Sequence, residues 1–384
     1  MTAETVNTGL NGVPVCASGI SSTTTDSEGY PLLMYRKHSI YDVIKTSFEE
    51  AAYLILNGEL PDKGQLERFT NTLKENRGLD KRVVEHIRTY PKNVHRMDFL
   101  LTTLSFCRMF DKDYENQIWC DSKADPKTIA GLINDAGVRI GAKIPAIIAY
   151  GHRILNGHEP IAPVDNLSHA ENFLHMLGLS SDKEQVKAFD TSLILYLDHT
   201  INNSTFLARV AESARPDPYG PFLSAAVGLK GVLHGGANEM ASRMLDEIDD
   251  PASVEAYVSK KMGRGEVIFG FGHRLGSYKT SVESRVRIVE SIVKDLSKKA
   301  GQEKLAGIYD ELVRVMDSPL IEERKRRAPN LDMPTSVLYR LLGIAPELNT
   351  PIFQASRHFG WAAHMIEQRL DKGPLYRPTQ VSRS

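Results

Sequence analysis

Apolar positions recur with helical spacing along most of this chain, starting at about Ser39. The first run reads SIYDVIKTSFEEAAYLILNG, with Ser39 and Asp42 as start signals and Gly58 followed by Pro61 as stop signals. Residues 1–38, in contrast, are predicted to be irregular or β-like. Long helical patterns joined by short polar loops predict an all-α fold.

Two long patterns lie in the middle of the chain. Pro126 opens a helical region that runs to Leu155, and Pro145 within it predicts a kink or a break. Residues 183–213 contain the run SLILYL, which is apolar on nearly every side and predicts a central, buried helix. The segment ARPDPYGP at 214–221 ends this second pattern.

Composition excludes several classes of protein. The 384 residues are 25% charged with a net charge of −1, which gives no electrostatic reason to bind nucleic acid or an anionic membrane. No apolar run approaches the roughly 20 residues that span a bilayer. The N-terminus resembles neither a secretory signal nor a transit peptide, and the three cysteines lack metal-ligand spacing. We therefore expect a cytoplasmic protein, although organellar import stays open.

A histidine followed by two glycines stands out at residues 228–240, GLKGVLHGGANEM. Apolar residues with helical spacing follow from Ala237 to Ile248, so His234 is predicted to lie at or just before a helix N-terminus. Free N–H groups there disfavour the imidazolium form, which leaves a neutral donor of hydrogen bonds. The alternative is a tight helix start with a buried core histidine.

Further polar residues admit both a structural and a functional interpretation. His273 lies in GFGHR, a glycine-rich turn with exposed backbone amides. Asp332 precedes a helical pattern and, taken alone, is an N-cap. His199 and Asn203 stand four residues apart, which predicts one shared helix face. Arg357 lies in an apolar helix and needs either an internal acid or a bound carboxylate.

Taken in order, these stretches resemble the citrate synthase family, which includes the 2-methylcitrate and alkylcitrate synthases. The resemblance covers nearly the whole chain, and no single segment would be sufficient. The segments that carry it are GLNGVPVCASGIS at 9–21, YRKHSIYDVI at 35–44, FEEAAYLILNGELP at 48–61, LDHTINNSTFLARV at 197–210, LKGVLHGGANE at 229–239, VIFGFGHR at 267–274, PNLDMPT at 329–335 and TPIFQASRHFGWAAHMIEQ at 350–368.

The resemblance implies an acyltransferase that joins an acyl-CoA to oxaloacetate by a Claisen-type condensation and then hydrolyses the thioester. In that reaction Asp332 is the base, neutral His234 hydrogen-bonds the developing enolate, and His273 polarises the ketone. The implied chemistry needs no metal or redox cofactor, and acyl-CoA is a substrate. A zinc site made by His199, His234 and His273 is disfavoured, because none of them belongs to a close ligand pair.

The resemblance also implies the residues that bind the two substrates. Arg285 is the substrate arginine with Arg287 as its rival, and Arg377 reaches the site of the partner across a homodimer interface. The residues implied for oxaloacetate are His199, Asn203, Arg285, Arg357 and Arg377. The residues implied for CoA are Val267, Ile268, Phe269, Gly270, Phe271 and Gly272, with Lys279 at the coenzyme phosphate.

Two unequal helical domains are implied as well. A large domain comprises residues 1–230 and 336–384. A smaller domain, residues 231–335, carries the catalytic residues and closes over oxaloacetate, which excludes water.

Two departures from the family pattern border the acyl site. The segment after His273 is about three residues longer than usual, with Glu283 and Ser284 where Asp-Pro is expected, and ARPDPYGP at 214–221 is unusual just before the His234 motif. In addition, Leu101 stands where the family usually has a second arginine. The acyl chain therefore stays open: acetyl-CoA would give citrate, and propionyl-CoA or a longer chain would give an alkylcitrate. A rival interpretation is a non-catalytic, CoA-binding homologue.

Overall fold

The computed structural model describes residues 8–10, 12–112, 117–121, 123–179, 182–273, 275, 281–321 and 327–380. Within them the chain forms sixteen α-helices and a three-stranded sheet, which confirms the all-α prediction. The helices are α1 (Ile40–Val43), α2 (Phe48–Asn57), α3 (Lys63–Glu75), α4 (Lys81–Ile87), α5 (Arg96–Arg108), α6 (Pro126–Leu155), α7 (His169–Leu177), α8 (Lys183–Tyr196), α9 (Asn203–Ser213), α10 (Tyr219–Lys230), α11 (Gly236–Asp246), α12 (Val254–Gly263), α13 (Ser284–Ala300), α14 (Glu303–Asp317), α15 (Asp332–Leu341) and α16 (Asn349–Leu370).

The sheet lies in the N-terminal segment that was predicted to be irregular or β-like. Its strands are β1 (Ser21–Thr25), β2 (Pro31–Tyr35) and β3 (His38–Ser39), paired antiparallel in that order. The first helical pattern begins and ends as predicted, although it is divided between α1 and α2. Ser39 caps α1, and Gly58 ends α2 with a left-handed φ of 94°.

Helices α6 and α16 pack against each other in the core. Helix α6 has the predicted bounds and continues through Pro145 without a break. A Cβ atom at Gly137 would lie 2.9 Å from that of Ala362, and one at Gly141 would lie 2.7 Å from Phe359. The two glycines therefore permit this close approach between the helices.

The prediction of a single helix over residues 183–213 is wrong. Helices α8 and α9 are separated by a turn at 197–202, in which Thr200 has a left-handed φ of 55°. This conformation is unfavourable for a β-branched residue, and tertiary contacts hold it. The Thr200 N–H donates to Ser21 Oγ at 2.8 Å, and the Ser21 hydroxyl donates to Asp198 Oδ2 at 2.5 Å.

In the C-terminal half, the helices that follow the His234 loop pack around α15. Helix α15 packs against α11, α13 and α14, and α11 also packs against α16. The expected domain boundary between residues 335 and 336 falls inside α15, and the division into two domains stays a prediction. None of the helices described is long and apolar enough to cross a membrane.

Candidate active site

Five candidate residues converge from separate segments of the chain. His199 comes from the turn after α8, His234 from the loop before α11, and His273 from the loop after α12. Asp332 begins α15, and Arg357 lies in α16. The ring centroids of His199 and His273 are 5.2 Å apart. Arg357 and His273 both act electrostatically on His234, so these groups share one site.

Asp332 points away from its own helix. It is the first residue of α15, and no side chain caps that helix, so the N-cap interpretation is wrong. Its Oδ1 accepts a hydrogen bond from the Tyr196 hydroxyl at 3.1 Å and one from Asn238 Nδ2 at 3.3 Å. Burial raises the pKa of Asp332 to about 6, although Tyr196, Arg285 and Asn238 lower it.

The partners of Asp332 form a chain of amides and a phenol. Asn349 Nδ2 donates to Asn238 Oδ1 at 2.8 Å, and Asn238 Nδ2 donates to the Tyr196 hydroxyl at 2.5 Å. Sequence reasoning missed Tyr196 and Asn238. The signals were present: Asn238 follows His234 by four residues in the glycine motif, and a tyrosine inside an apolar helix needs a hydrogen-bond partner.

His234 lies where the sequence predicted, just before α11. A Cβ at Gly235 would lie 2.5 Å from Leu229, and one at Gly236 would lie 2.3 Å from the Lys230 carbonyl oxygen, so this close approach requires both glycines. Burial, together with Arg357 and His273, lowers the pKa of His234 to about 3. The imidazole is therefore neutral at physiological pH.

One nitrogen of His234 is occupied by a residue that sequence reasoning missed. His234 Nε2 lies 2.7 Å from Ser204 Oγ, on the first turn of α9. Among the described residues none is hydrogen-bonded to its other nitrogen, Nδ1, which can therefore face a ligand. The signal was weak, because Ser204 looks like one small polar residue among several in LDHTINNSTFLARV.

The glycine-rich turn before His273 differs from the prediction. The Gly272 N–H, expected to be exposed, donates to the Ala328 carbonyl at 2.8 Å, and the Asn330 N–H donates to the Gly270 carbonyl at 2.9 Å. Both glycines have positive φ, 82° and 83°, which other residues rarely adopt. This pairing joins the His273 loop to the segment that leads into α15.

A backbone contact determines the tautomer of His273. Its Nδ1 accepts the N–H of Leu275 at 3.1 Å, so the neutral ring carries its proton on Nε2. Burial and then Arg285 lower the pKa of His273 to about 4. His273 is therefore a neutral donor at Nε2.

His199 and Asn203 do not share a helix face. His199 is buried in the turn at 197–202, and burial lowers its pKa well below the ordinary value. Asn203 begins α9 and is exposed, with its Oδ1 beside Gly228. The structure therefore places His199 beside His273, whereas Asn203 is exposed at the start of α9 and its role at oxaloacetate stays a prediction.

Two buried arginines lie beside the histidines. Arg285 Nε and Nη2 donate to the two carboxylate oxygens of Glu283, at 2.8 and 2.6 Å. Arg357 Nε donates to the Tyr196 carbonyl at 2.7 Å. Arg287, the rival of Arg285, is instead partly exposed and forms ion pairs with Asp26 and Glu28.

Arg377 is exposed in the segment after α16. The preceding residue anchors this tail to its own chain: the Tyr376 N–H donates to Ser213 Oγ at 3.2 Å, and its hydroxyl donates to the Val15 carbonyl at 3.1 Å. Thus Arg377 follows a packed residue and is itself exposed.

The expected CoA segment combines exposed and buried residues. Val267 is 63% exposed, whereas Ile268 is 6% exposed and belongs to the core. Lys279, predicted at the coenzyme phosphate, lies outside the described residues. Across the described ranges, no three histidine, cysteine or acidic side chains are placed to hold a metal ion.

Comparison with known proteins identifies the family. Residues 9–379 match the family model described as "Citrate synthase, C-terminal domain". The chain is 36% identical to 2-methylcitrate synthase 1 of Corynebacterium glutamicum, over 98% of this chain and 95% of the relative. It is 37% identical to the citrate synthase of Synechocystis sp., over 98% and 91%.

Solved structures extend the comparison to the fold. The citrate synthase of Pyrobaculum aerophilum matches with a TM-score of 0.86 and 32% identity, covering 97% of this chain and 91% of that one. The citrate synthase of Thermoplasma acidophilum, solved as a ternary complex with carboxymethyl coenzyme A and oxaloacetate, matches with a TM-score of 0.86 and 29% identity, covering 99% of this chain and 96% of that one.

Proposed function

This chain belongs to the citrate synthase family, and we propose that Asp332, His234 and His273 carry out its reaction. The chain is a citrate synthase-type acyltransferase, which condenses an acyl-CoA with oxaloacetate and hydrolyses the thioester to release CoA. One observation supports the assignment of the residues most strongly. Hydrogen bonds join the buried Asp332 carboxyl, whose pKa is raised, to the segments of two neutral histidines: Asn238, four residues after His234, donates to Asp332, and Asn330 donates to the Gly272 carbonyl beside His273.

Asp332 is the base that removes a proton from the α-carbon of the acyl-CoA. That carbon is a very weak acid, so a stronger carboxylate base lowers the barrier. With a pKa of about 6, Asp332 is mostly ionised at neutral pH and more basic than an ordinary aspartate. The Tyr196 hydroxyl and Asn238 amide hold the carboxylate in place.

The two histidines act on the oxygens that gain charge. His234, neutral, donates to the enolate oxygen while the α-carbon attacks the ketone of oxaloacetate. His273 donates from Nε2 to the ketone oxygen and then gives that proton to the new alkoxide. Water finally attacks the thioester carbonyl, and as the carbon–sulfur bond breaks one proton of the water passes to the CoA sulfur, which leaves as the thiol. No step needs an oxidant or a reductant, and the histidines polarise the oxygens that gain charge, so this scheme requires no metal or redox cofactor.

Oxaloacetate is held by His199, Arg285 and Arg357, since guanidinium groups pair well with carboxylates. Glu283 orients Arg285 through its two hydrogen bonds. CoA lies along residues 267–272. A cytoplasmic location stays a prediction.

Release of CoA thiol tests the proposed function. Purified protein is given oxaloacetate with acetyl-, propionyl- or butyryl-CoA, and a His234→Ala variant is the control. We expect turnover that depends on both substrates and is lost in the variant. The acyl chain with the highest kcat/KM identifies the product as citrate or an alkylcitrate. No thiol release with any acyl-CoA would favour a non-catalytic, CoA-binding protein.

We also propose that Arg377 completes the site of a partner subunit in a homodimer. Its exposure and the anchored Tyr376 support this assignment, because the tail leaves its own chain at a defined point. Mixing inactive Arg377→Ala and His234→Ala chains should restore up to about a quarter of wild-type activity, because half of the dimers are mixed and each has one intact site. A confirmed heterodimer without recovered activity would contradict this role.

A further inference from the structure

Trp361 is connected to His234 through one hydroxyl group. This tryptophan lies in α16 and is fully buried, and its indole N–H donates to Ser204 Oγ at 3.3 Å. Ser204 is also fully buried, and the same Oγ lies 2.7 Å from His234 Nε2. The protonation of His234 Nε2 therefore depends on a serine that Trp361 contacts.

A third neighbour competes for the proton of Ser204. Asn202 Oδ1 lies 2.8 Å from Ser204 Oγ and also accepts the Thr205 N–H at 3.0 Å, as the N-cap of α9. That cap fixes the orientation of the amide, so Asn202 presents an acceptor to Ser204. Trp361 can only donate. The single serine proton therefore points either to Asn202 Oδ1 or to His234 Nε2.

The two directions give opposite chemistry at His234. If Ser204 donates to Nε2, the neutral ring carries its proton on Nδ1, the nitrogen left for substrate, and can donate to the enolate oxygen. If Ser204 donates to Asn202, the Nε2–H of His234 donates back to Ser204. Nδ1 is then only an acceptor, and the enolate loses its donor.

We propose that Trp361 is a positioning residue that favours the donating tautomer of His234 through Ser204. A hydroxyl oxygen that already accepts one N–H becomes a stronger donor, and it accepts a second N–H less readily. The indole N–H thus directs the serine proton toward His234 Nε2. This inference rests on the donor role of His234 in the proposed function and adds a residue that touches no substrate.

The experiment removes the indole N–H while keeping the shape of the ring. In a Trp119→Phe background, Trp361 is the only tryptophan, and it is replaced by benzothienylalanine, in which sulfur stands for N–H. A fluorinated tryptophan, which retains the N–H, is the matched control. We expect kcat to fall about 5- to 10-fold, the size of one net hydrogen bond, with the KM for oxaloacetate unchanged. Trp361→Phe should lower kcat similarly.

Two further readouts separate tautomer control from packing. In protein labelled with nitrogen-15 histidine, the His234 signals, identified by their loss in His234→Gln, should move toward the Nε2–H form when the indole N–H is absent. Ser204→Ala should lower kcat, and removing the indole N–H in that background should cause no further loss, because the two groups act along one path.

Unchanged kcat and unchanged His234 signals in the benzothienylalanine protein would overturn this inference. Additive losses in the Ser204→Ala background would overturn it too. In either case a His234→Ala variant without activity would leave the proposed function intact. Full turnover by His234→Ala would instead reject the donor role itself.

Discussion

The active site has a base side, around Asp332, and an arginine side, around Arg285 and Arg357, and burial affects the charged groups of the two sides differently. On the base side, Asp332 meets the neutral donors Tyr196 and Asn238, and burial raises its pKa to about 6. On the arginine side, Arg285 and Arg357 are both buried. Each of these two donates to an oxygen acceptor, the Glu283 carboxylate or a backbone carbonyl.

The difference follows from the chemistry of the groups. A carboxyl or an imidazole has a neutral form within the physiological range, so burial shifts its pKa toward that form. A guanidinium has no accessible neutral form, and burial forces it to find acceptors. The base side can therefore exchange protons, whereas the arginine side supplies fixed positive charge for a dicarboxylate.

Asp332→Asn should have the largest effect, because it removes the base and keeps the shape. We expect kcat to fall by roughly 10²–10⁴-fold, the usual range for removing a general base. Asp246→Asn, on α11 where Asp246 pairs with Arg340, is the control and should change kcat little. Turnover of Asp332→Asn within a few-fold of wild type would show that Asp332 is not the base.

The same variant should be more stable at neutral pH. The pKa of Asp332 is raised from 3.8 to about 6, so the stability that its protonated form provides is lost as the pH rises through this range. Asparagine carries no such charge. Thermal unfolding should therefore show a higher Tm than wild type at pH 7 and a smaller difference at pH 4; equal differences at both would contradict the burial argument.

Arg357→Lys tests the arginine side. Lysine cannot reproduce the planar fork, so the KM for oxaloacetate should rise roughly 10- to 100-fold, matching the loss of a hydrogen bond to a charged group. Arg287→Lys is the matched control, since Arg287 pairs with surface acids, and its KM should stay near the wild-type value. Steady-state kinetics measure both KM values. A KM for Arg357→Lys close to that of Arg287→Lys would show that Arg357 does not bind oxaloacetate.

The smallest expected effect is a change in pH dependence. The Tyr196 hydroxyl lowers the pKa of Asp332 by donating to its carboxylate, so Tyr196→Phe should raise that pKa. The acid limb of the profile of kcat/KM against pH should move up by about one unit, the size of one hydrogen bond to a charge. Tyr339→Phe, a buried tyrosine whose hydroxyl contacts Ser192, is the control. If the acid limb does not move in Tyr196→Phe, the Tyr196 hydroxyl does not lower the pKa of the catalytic base.

Local signals were sufficient for several features. Pro126 and the N-cap Asp125 start α6, and the two glycines after His234 mark the start of α11, because caps and glycines act over a few neighbouring residues. The turn at 197–202 was mispredicted as helix because distant contacts, which local signals do not show, determine its conformation. Its apolar neighbours have helical spacing, but contacts with the distant Ser21 hold the turn.

By itself, the sequence determined the helical fold, the family, and the identities of the residues that could perform the chemistry. Periodicity, caps and motifs depend on residues that are close together along the chain, so they can be recognised without the structure. Only the tertiary structure decided which polar groups meet. Asn238 reaches Asp332 across 94 residues, and Trp361 reaches Ser204 across 157. It also distinguished two arginines only two residues apart: Arg285 is buried and pairs with Glu283, whereas Arg287 is partly exposed and pairs with Asp26. A hydrogen bond or ion pair depends on atomic distance and burial, which long-range packing sets and local spacing does not encode.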